Sequence, residues 1–287
     1  MLCKEIEHFV FTNFHSTLIQ LSFDYWFCFP YAIVVCILCT SSGFSGSILF
    51  QPLFYFFLRI PLPQSIATGI ATETIGMTWG ATNYILSKHK GKAIDFKAFR
   101  AVVPFTTLGV FVGLFLFVYA PMPILRFIVG FVIASIALYQ IWLAGENKLG
   151  TKKRANLVIL TKNHNRIYQF FSGTFSATTG TGVAEMSQPM LEEKAGLMTL
   201  RANATAILLE ACADWIITAT NLKLGNLRFD ILIFTVSGVL IGGVIGPRLA
   251  KYLNPRIMKI IFGISVTTIG FIYIVTSWND LLEMLKN

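Results

Sequence analysis

Charge is scarce in this chain: Asp, Glu, Lys and Arg make up only 13% of its 287 residues, against about 25% in an ordinary soluble domain. That shortage, beside 55% hydrophobic residues and a mean hydropathy of +0.67, excludes a soluble globular fold. Alternating apolar and polar runs of about ten residues are lacking too, which argues against an outer-membrane barrel. Histidine is missing from the apolar segments, because His8, His15, His89 and His164 lie in the N-terminal stretch or in loops. An intramembrane enzyme would need a nucleophile–base pair or a metal cluster, and no H-E-x-x-H pattern exists. The sequence therefore predicts no enzyme, no metal site and no cofactor. The five cysteines form no extracellular framework; Cys36 and Cys39 make a C-x-x-C inside an apolar run and read as packing. Residues 1–25 carry Glu5, Glu7 and Asp24 and lack a small-residue cleavage site, so they read as an interfacial N-terminal extension rather than a leader.

What is present is apolar length. Residues 101–120 and 127–143 are long and apolar enough to span a bilayer. The fold class is an all-α polytopic integral membrane protein. The net charge of +9 sits in short loops between apolar segments, where Lys and Arg set topology rather than bind nucleic acid.

The chain also repeats itself. Around Gly43-Phe44-Ser45-Gly46 an apolar run breaks, resumes at Ile48 and reaches Gln51-Pro52, and the next apolar helix buries Glu73. A shift of 137 residues places Gly180, Gln188, Pro189 and Glu210 on Gly43, Gln51, Pro52 and Glu73. Farther on, a shift of 133 pairs Gly109 and Gly113 with Gly242 and Gly246, and Arg126 with Lys259. Matched Gly breaks and matched acids inside apolar segments are a transporter signature. Residues 26–144 form the first membrane repeat, 145–166 a basic cytoplasmic linker, 167–278 the second repeat and 279–287 a tail.

Small polar residues at the breaks would strand backbone groups in lipid, so protein or a water-filled cavity must satisfy them. The first break leaves residues 26–60 as either one tilted span or a re-entrant pair of half-helices. On the following helix Gly69, Glu73, Gly76, Gly80 and Asn83 share one small, polar face. If each half is a re-entrant pair plus three spans, the second half enters inverted. That arrangement gathers the basic segments 88–100, 145–166, 191–201 and 248–259 on the inner side, the stronger of the two possible charge asymmetries.

The order of these elements resembles the sulfite exporter TauE/SafE family, also called TSUP. The resemblance rests on Gly43 to Pro52, Gly91 to Asp95 and Pro123 to Gly130 in the first half. In the second it rests on Gly225-Asn226-Leu227-Arg228-Phe229-Asp230, Gly238 to Gly246 and Asn254-Pro255-Arg256. It covers about residues 30–278, with fewer glycines at the breaks than the family's usual G-x-G-G-G. It implies outward passage of small inorganic or organic sulfur anions, such as sulfite and sulfonates, across the cell membrane.

Physical chemistry points the same way. A broken helix offers free N–H groups and partial positive charge where it restarts, and such a terminus binds anions. Two of them meeting near the midplane predict a substrate site of Gly43, Ser45, Gly46, Ser47, Gln51, Thr179, Gly180, Thr181, Gly182 and Gln188. Glu73, Glu210 and Asp214 are the proton-coupling candidates, since a buried acid can hold a proton at neutral pH; the alternative is that they tie helices together. Glu185 could tune the site or cap a half-helix. An anion channel and a non-transporting assembly protein remain rival readings, and the small-residue faces could serve a homodimer as well as internal packing.

Overall fold

A computed structural model describes residues 23–86, 93–145, 156–250 and 252–286. Most of the N-terminal extension, the tip of the 88–100 loop and most of the basic linker lie outside the described residues. The described chain is helical, with no strand among its residues, and six of its helices are long and apolar enough to cross a membrane.

The first half begins with α1 (Cys28–Ser42), α2 (Ser47–Pro52) and α3 (Leu62–Leu86), and continues with α4 (Phe96–Tyr119) and α5 (Met122–Gly145). The second half begins with α6 (Asn163–Thr179), α7 (Val183–Pro189) and α8 (Thr199–Lys223), and ends with α9 (Phe229–Leu249) and α10 (Pro255–Lys286). Local chemistry sets the breaks. Helices α1 and α6 both stop at a glycine in the left-handed conformation, Gly43 at φ 77° and Gly180 at φ 74°, which a Cβ would disfavour. Pro52 and Pro189, which cannot donate a helical N–H, close the two short helices. A widened π-helical turn follows each, Leu53–Phe57 and Met190–Lys194. Leu58 then donates to Leu53 and Ile60 to Phe54, while Ala195 donates to Met190 and Leu197 to Leu191.

Both short helices fold back along the helix before them. The Tyr31 hydroxyl donates to the Leu49 carbonyl at 2.8 Å, Val35 lies against Gly46, and the Cys39 thiol reaches the Ser45 carbonyl at 3.6 Å. In the second half Lys194 reaches Asn165 at 3.3 Å, the Ser187 hydroxyl donates to Gln169 at 3.0 Å, and Ser172 lies against Gly182. In each case later residues meet earlier ones, as in a hairpin.

The halves interlock. Helix α9 runs alongside α1 in the same direction, with Gly238 against Phe29, Gly242 against Ile33 and Gly246 against Ile37. Helix α6 runs alongside α4 likewise, with Gly109 against Phe170 and Gly113 against Thr174. By contrast α3 and α8 run in opposite directions, because Thr74 meets Thr218 and Thr78 meets Trp215. So do α5 and α10, where Gly130 meets Ile274 and Gly263 meets Ile141. Thr68 accepts from the Arg228 N–H at 3.1 Å at the start of α9, and Thr205 accepts from the Asp95 N–H at 3.0 Å at the start of α4. These glycines let backbones touch, so bulk there must push helices apart. Gly109→Leu should destabilise the fold at the upper end of the about 1–3 kcal/mol range for overpacking, because its Cβ would strike the Phe170 carbonyl rather than a side chain that can turn. Denaturant titration in detergent micelles measures this.

One sequence expectation needs correction. Asn83 does not join the small polar face of α3; its amide donates to the Trp79 carbonyl of its own helix at 2.8 Å, on an exposed part of the surface. Gly69, Gly76 and Gly80 do line a seam, against Ser47, Cys36 and Thr40.

Candidate functional site

The hairpin geometry brings the two breaks face to face. The Ser47 hydroxyl donates to the Gly180 carbonyl, and the Ser45 hydroxyl lies 2.8 Å from the same oxygen. The Gln51 amide donates to the Thr179 carbonyl at 2.6 Å. The first break thus covers the carbonyls that end α6. All of these side chains are buried, so they satisfy polar backbone that could not survive against lipid.

The N–H groups that restart the helices point at carboxylates. Gly46 and Ser47 donate their backbone N–H to Glu73 at 2.7 and 2.9 Å, and the Ser45 hydroxyl lies 2.7 Å from the same carboxylate. In the second break Ala184, which the repeat aligns with Ser47, donates its N–H to Glu210, and the Ser176 hydroxyl adds a bond at 3.2 Å. Glu185 joins the breaks, accepting from the Ser45 N–H at 2.6 Å and the Gly182 N–H at 3.0 Å. The dipole argument for negative charge at these termini holds, but the chain supplies that charge itself. That is the main difference from the sequence expectation of free amides awaiting substrate.

Four acids are therefore buried at one place. Carboxylate oxygens of Glu73, Glu210 and Asp214 all lie within 4.8 Å of one another, a spacing that could hold a cation. Asp214 Oδ2 has no hydrogen-bond partner although the residue is 1% exposed. Among the described residues no Lys or Arg pairs with any of the four; the ion pairs there are Arg201–Asp95 and Arg228–Asp230, at the starts of α4 and α9. Burying several carboxylates without a counter-charge costs several kcal/mol each. Backbone N–H groups, in place of basic side chains, answer Glu73, Glu185 and Glu210.

Not every predicted residue turns inward. The Gln188 amide donates to Glu192 at 2.6 Å, in the π-helical turn that follows its short helix, and not to the opposite break. The Thr179 hydroxyl bonds within its own segment, to the Phe175 carbonyl at 2.8 Å. Gly43 abuts Asn203 of α8, whose amide donates to the Ser41 carbonyl at 2.9 Å. Thr181 and Gly182 are in the break and buried. Sequence reasoning undervalued Glu185, whose only local signal is its place three residues after Gly182, the spacing of a helix-capping acid. It missed Gln140 of α5, whose amide donates to the Glu185 carbonyl at 2.6 Å, and no local signal marks that residue.

Comparison with known proteins bears on what such a site belongs to. No curated protein and no solved structure matches the chain. A family model described as "Sulfite exporter TauE/SafE" matches residues 28–273, a stretch that holds both breaks and the four clustered acids Glu73, Glu185, Glu210 and Asp214. The chain is a member of the sulfite exporter TauE/SafE family of membrane transporters.

Proposed function

We propose that the protein is a secondary exporter of small sulfur-containing anions at the cell membrane, with the substrate taken up where the two helix breaks meet. The observation that carries this reading is the ring of backbone N–H groups at Gly46, Ser47, Gly182 and Ala184, each aimed at a negative group in the bundle centre. Sulfite or a sulfonate headgroup presents the same acceptor oxygens as a carboxylate, so the cradle that holds Glu73 and Glu210 suits it equally.

Inverted repeats support alternating access through this centre. In this reading α1–α2 and α6–α7 are re-entrant pairs dipping in from opposite faces, and each is followed by three spans. The directions of the helix pairs favour it: with short antiparallel connections inside each half, two parallel repeats would run α3 beside α8, and α5 beside α10, in the same direction. The antiparallel contacts of both pairs support inversion. The basic segments then lie together on the cytoplasmic side.

The acids set the coupling. An ionised Glu73 or Glu210 competes with the substrate for the N–H groups and repels it; a carboxyl that gains a proton loses its charge and releases the amides. Anion occupancy and proton occupancy therefore rise together, and acid on the side from which the anion enters should speed its flux. The close grouping of Glu73, Glu210 and Asp214 favours a second form of the same idea, in which a sodium ion replaces the proton as counter-charge.

Sulfite flux in proteoliposomes tests both forms. With wild-type protein, flux should respond to an imposed pH gradient, and the response should vanish in Glu73→Gln or Glu210→Gln. A response to a sodium gradient instead would identify the cation. Flux indifferent to both substitutions would make the acids purely structural, and absence of flux with sulfite and a panel of sulfonates would overturn the transport reading.

A further inference from the structure

The four clustered acids are not answered alike. Glu73 accepts the N–H groups of Gly46 and Ser47 and lies 2.7 Å from the Ser45 hydroxyl. Glu185 accepts the N–H groups of Ser45 and Gly182, and Glu210 accepts from Ala184 and Ser176. These three brace the breaks. Asp214 is different: it is 1% exposed, and its Oδ2 finds no donor among the described residues. A carboxylate buried in that way is costly and calls for a proton or an ion beside it.

The repeat points to the same residue. Glu73 and Glu210 are equivalent in register, but one turn later the second half has Asp214 where the first has Met77. The first half closes its break with a thioether at that place. An acid there is therefore no part of what the duplicated frame needs.

Geometry and charge narrow the occupant. One carboxylate oxygen from each of Glu73, Glu210 and Asp214 lies within 4.8 Å of the other two. Oxygen ligands sit about 2.3–2.6 Å from a cation of calcium's size, so ligands on its opposite sides are about 4.6–5.2 Å apart. Sodium has nearly the same radius. Glu73, Glu185 and Glu210 hold N–H groups, which leaves the single charge of Asp214 unanswered, and one positive charge matches it.

We propose that Asp214, with one oxygen each from Glu73 and Glu210, forms a sodium site between the two breaks. The proposal rests on the transport reading above and narrows its counter-charge to an ion held at Asp214, where it also attracts an anion to the same centre. The titratable groups that act on Asp214 are Glu73 of α3, Glu185 of α7, and Glu210 and Cys212 of α8. Protons compete with sodium for these carboxylates, so acid should weaken sodium binding.

Unfolding midpoints of the purified protein in detergent test this without sulfite, with sodium chloride exchanged for choline chloride at constant ionic strength. Sodium at about a hundred times its dissociation constant should raise the wild-type midpoint by about 5–10 °C, and the larger potassium ion should not. Asp214→Asn should need at least about tenfold more sodium for the same shift, since even the outer partners of metal ligands are worth about ten- to a hundredfold in affinity. Asp214→Met, which installs the first half's own residue, should remove the shift. In choline both variants should be at least as stable as wild type, because an unanswered charge is gone. Lower midpoints there would make Asp214 a structural residue and sink the sodium site. So would a wild-type midpoint indifferent to sodium, an equal response to potassium, or stabilisation by calcium alone; none of these touches the transport reading. If sodium stabilises as expected while sulfite and sulfonates fail to cross proteoliposomes, the cation site stands and the transport reading falls.

Discussion

Replacing Glu185 by alanine should destabilise the protein by about 2–6 kcal/mol, the cost of stranding two buried N–H donors at about 1–3 kcal/mol each. The carboxylate holds the Ser45 N–H at 2.6 Å and the Gly182 N–H at 3.0 Å, one from each half, and no other acceptor is bonded to either. Water cannot stand in readily, because Ser45, Glu185 and their neighbours are fully buried. Glu185→Gln keeps one acceptor oxygen and should cost less, about 1–2 kcal/mol. Unfolding midpoints in mixed micelles measure both. Equal stability of wild type and Glu185→Ala would show that the two breaks are not held together through this residue.

Gly43→Ala should be severe and Gly46→Ala mild, although both glycines belong to the same four-residue break. Gly43 sits at φ 77°, where an L-residue costs about 1–2 kcal/mol, and its Cβ would collide with the Asn203 side chain. Because Asn203 anchors the Ser41 carbonyl at 2.9 Å, moving it strands a second polar group. Gly46 sits at φ −81°, and the nearest atoms to an added Cβ are 3.5 Å away, an ordinary contact. The expected loss is about 2–4 kcal/mol for Gly43→Ala and within about 0.5 kcal/mol for Gly46→Ala. Thermal unfolding in detergent followed by size-exclusion recovery separates them. Similar losses for the two would mean the break is held by close approach and not by backbone conformation.

The difference between these glycines shows where sequence reading stops. Both glycines are visible in the sequence, and the equivalence of Gly43 with Gly180 makes them helix enders. Which glycine needs its conformation depends on φ, and φ depends on how α2 turns back toward Tyr31. The same holds for the acids. The 137-residue register puts Glu73 opposite Glu210, and composition alone says that a charge inside an apolar helix needs a partner. The partner is a backbone amide 26 or 27 positions away along the chain, Gly46 and Ser47 for Glu73 and Ala184 for Glu210. Nothing local encodes that distance.

Composition determined the membrane class, because too few charges were available to solvate a surface of this size. Periodic repetition determined the pairing of halves, because a duplicated sequence keeps its glycines and acids in register. Tertiary structure alone decided what fills the helix termini. An N–H group donates to the nearest good acceptor whatever its origin, so amides expected to be free for a substrate hold Glu73, Glu185 and Glu210. It also decided that Gln51 and Gln188, identical by register, do different things: Gln51 crosses to Thr179 and Gln188 stays with Glu192. Equivalent residues diverge because Tyr55 and Glu192 occupy equivalent places one turn later, and only the second offers the amide an acceptor close by. The 137-residue register is a property of the sequence; the difference between Gln51 and Gln188 arises where the folded segments touch.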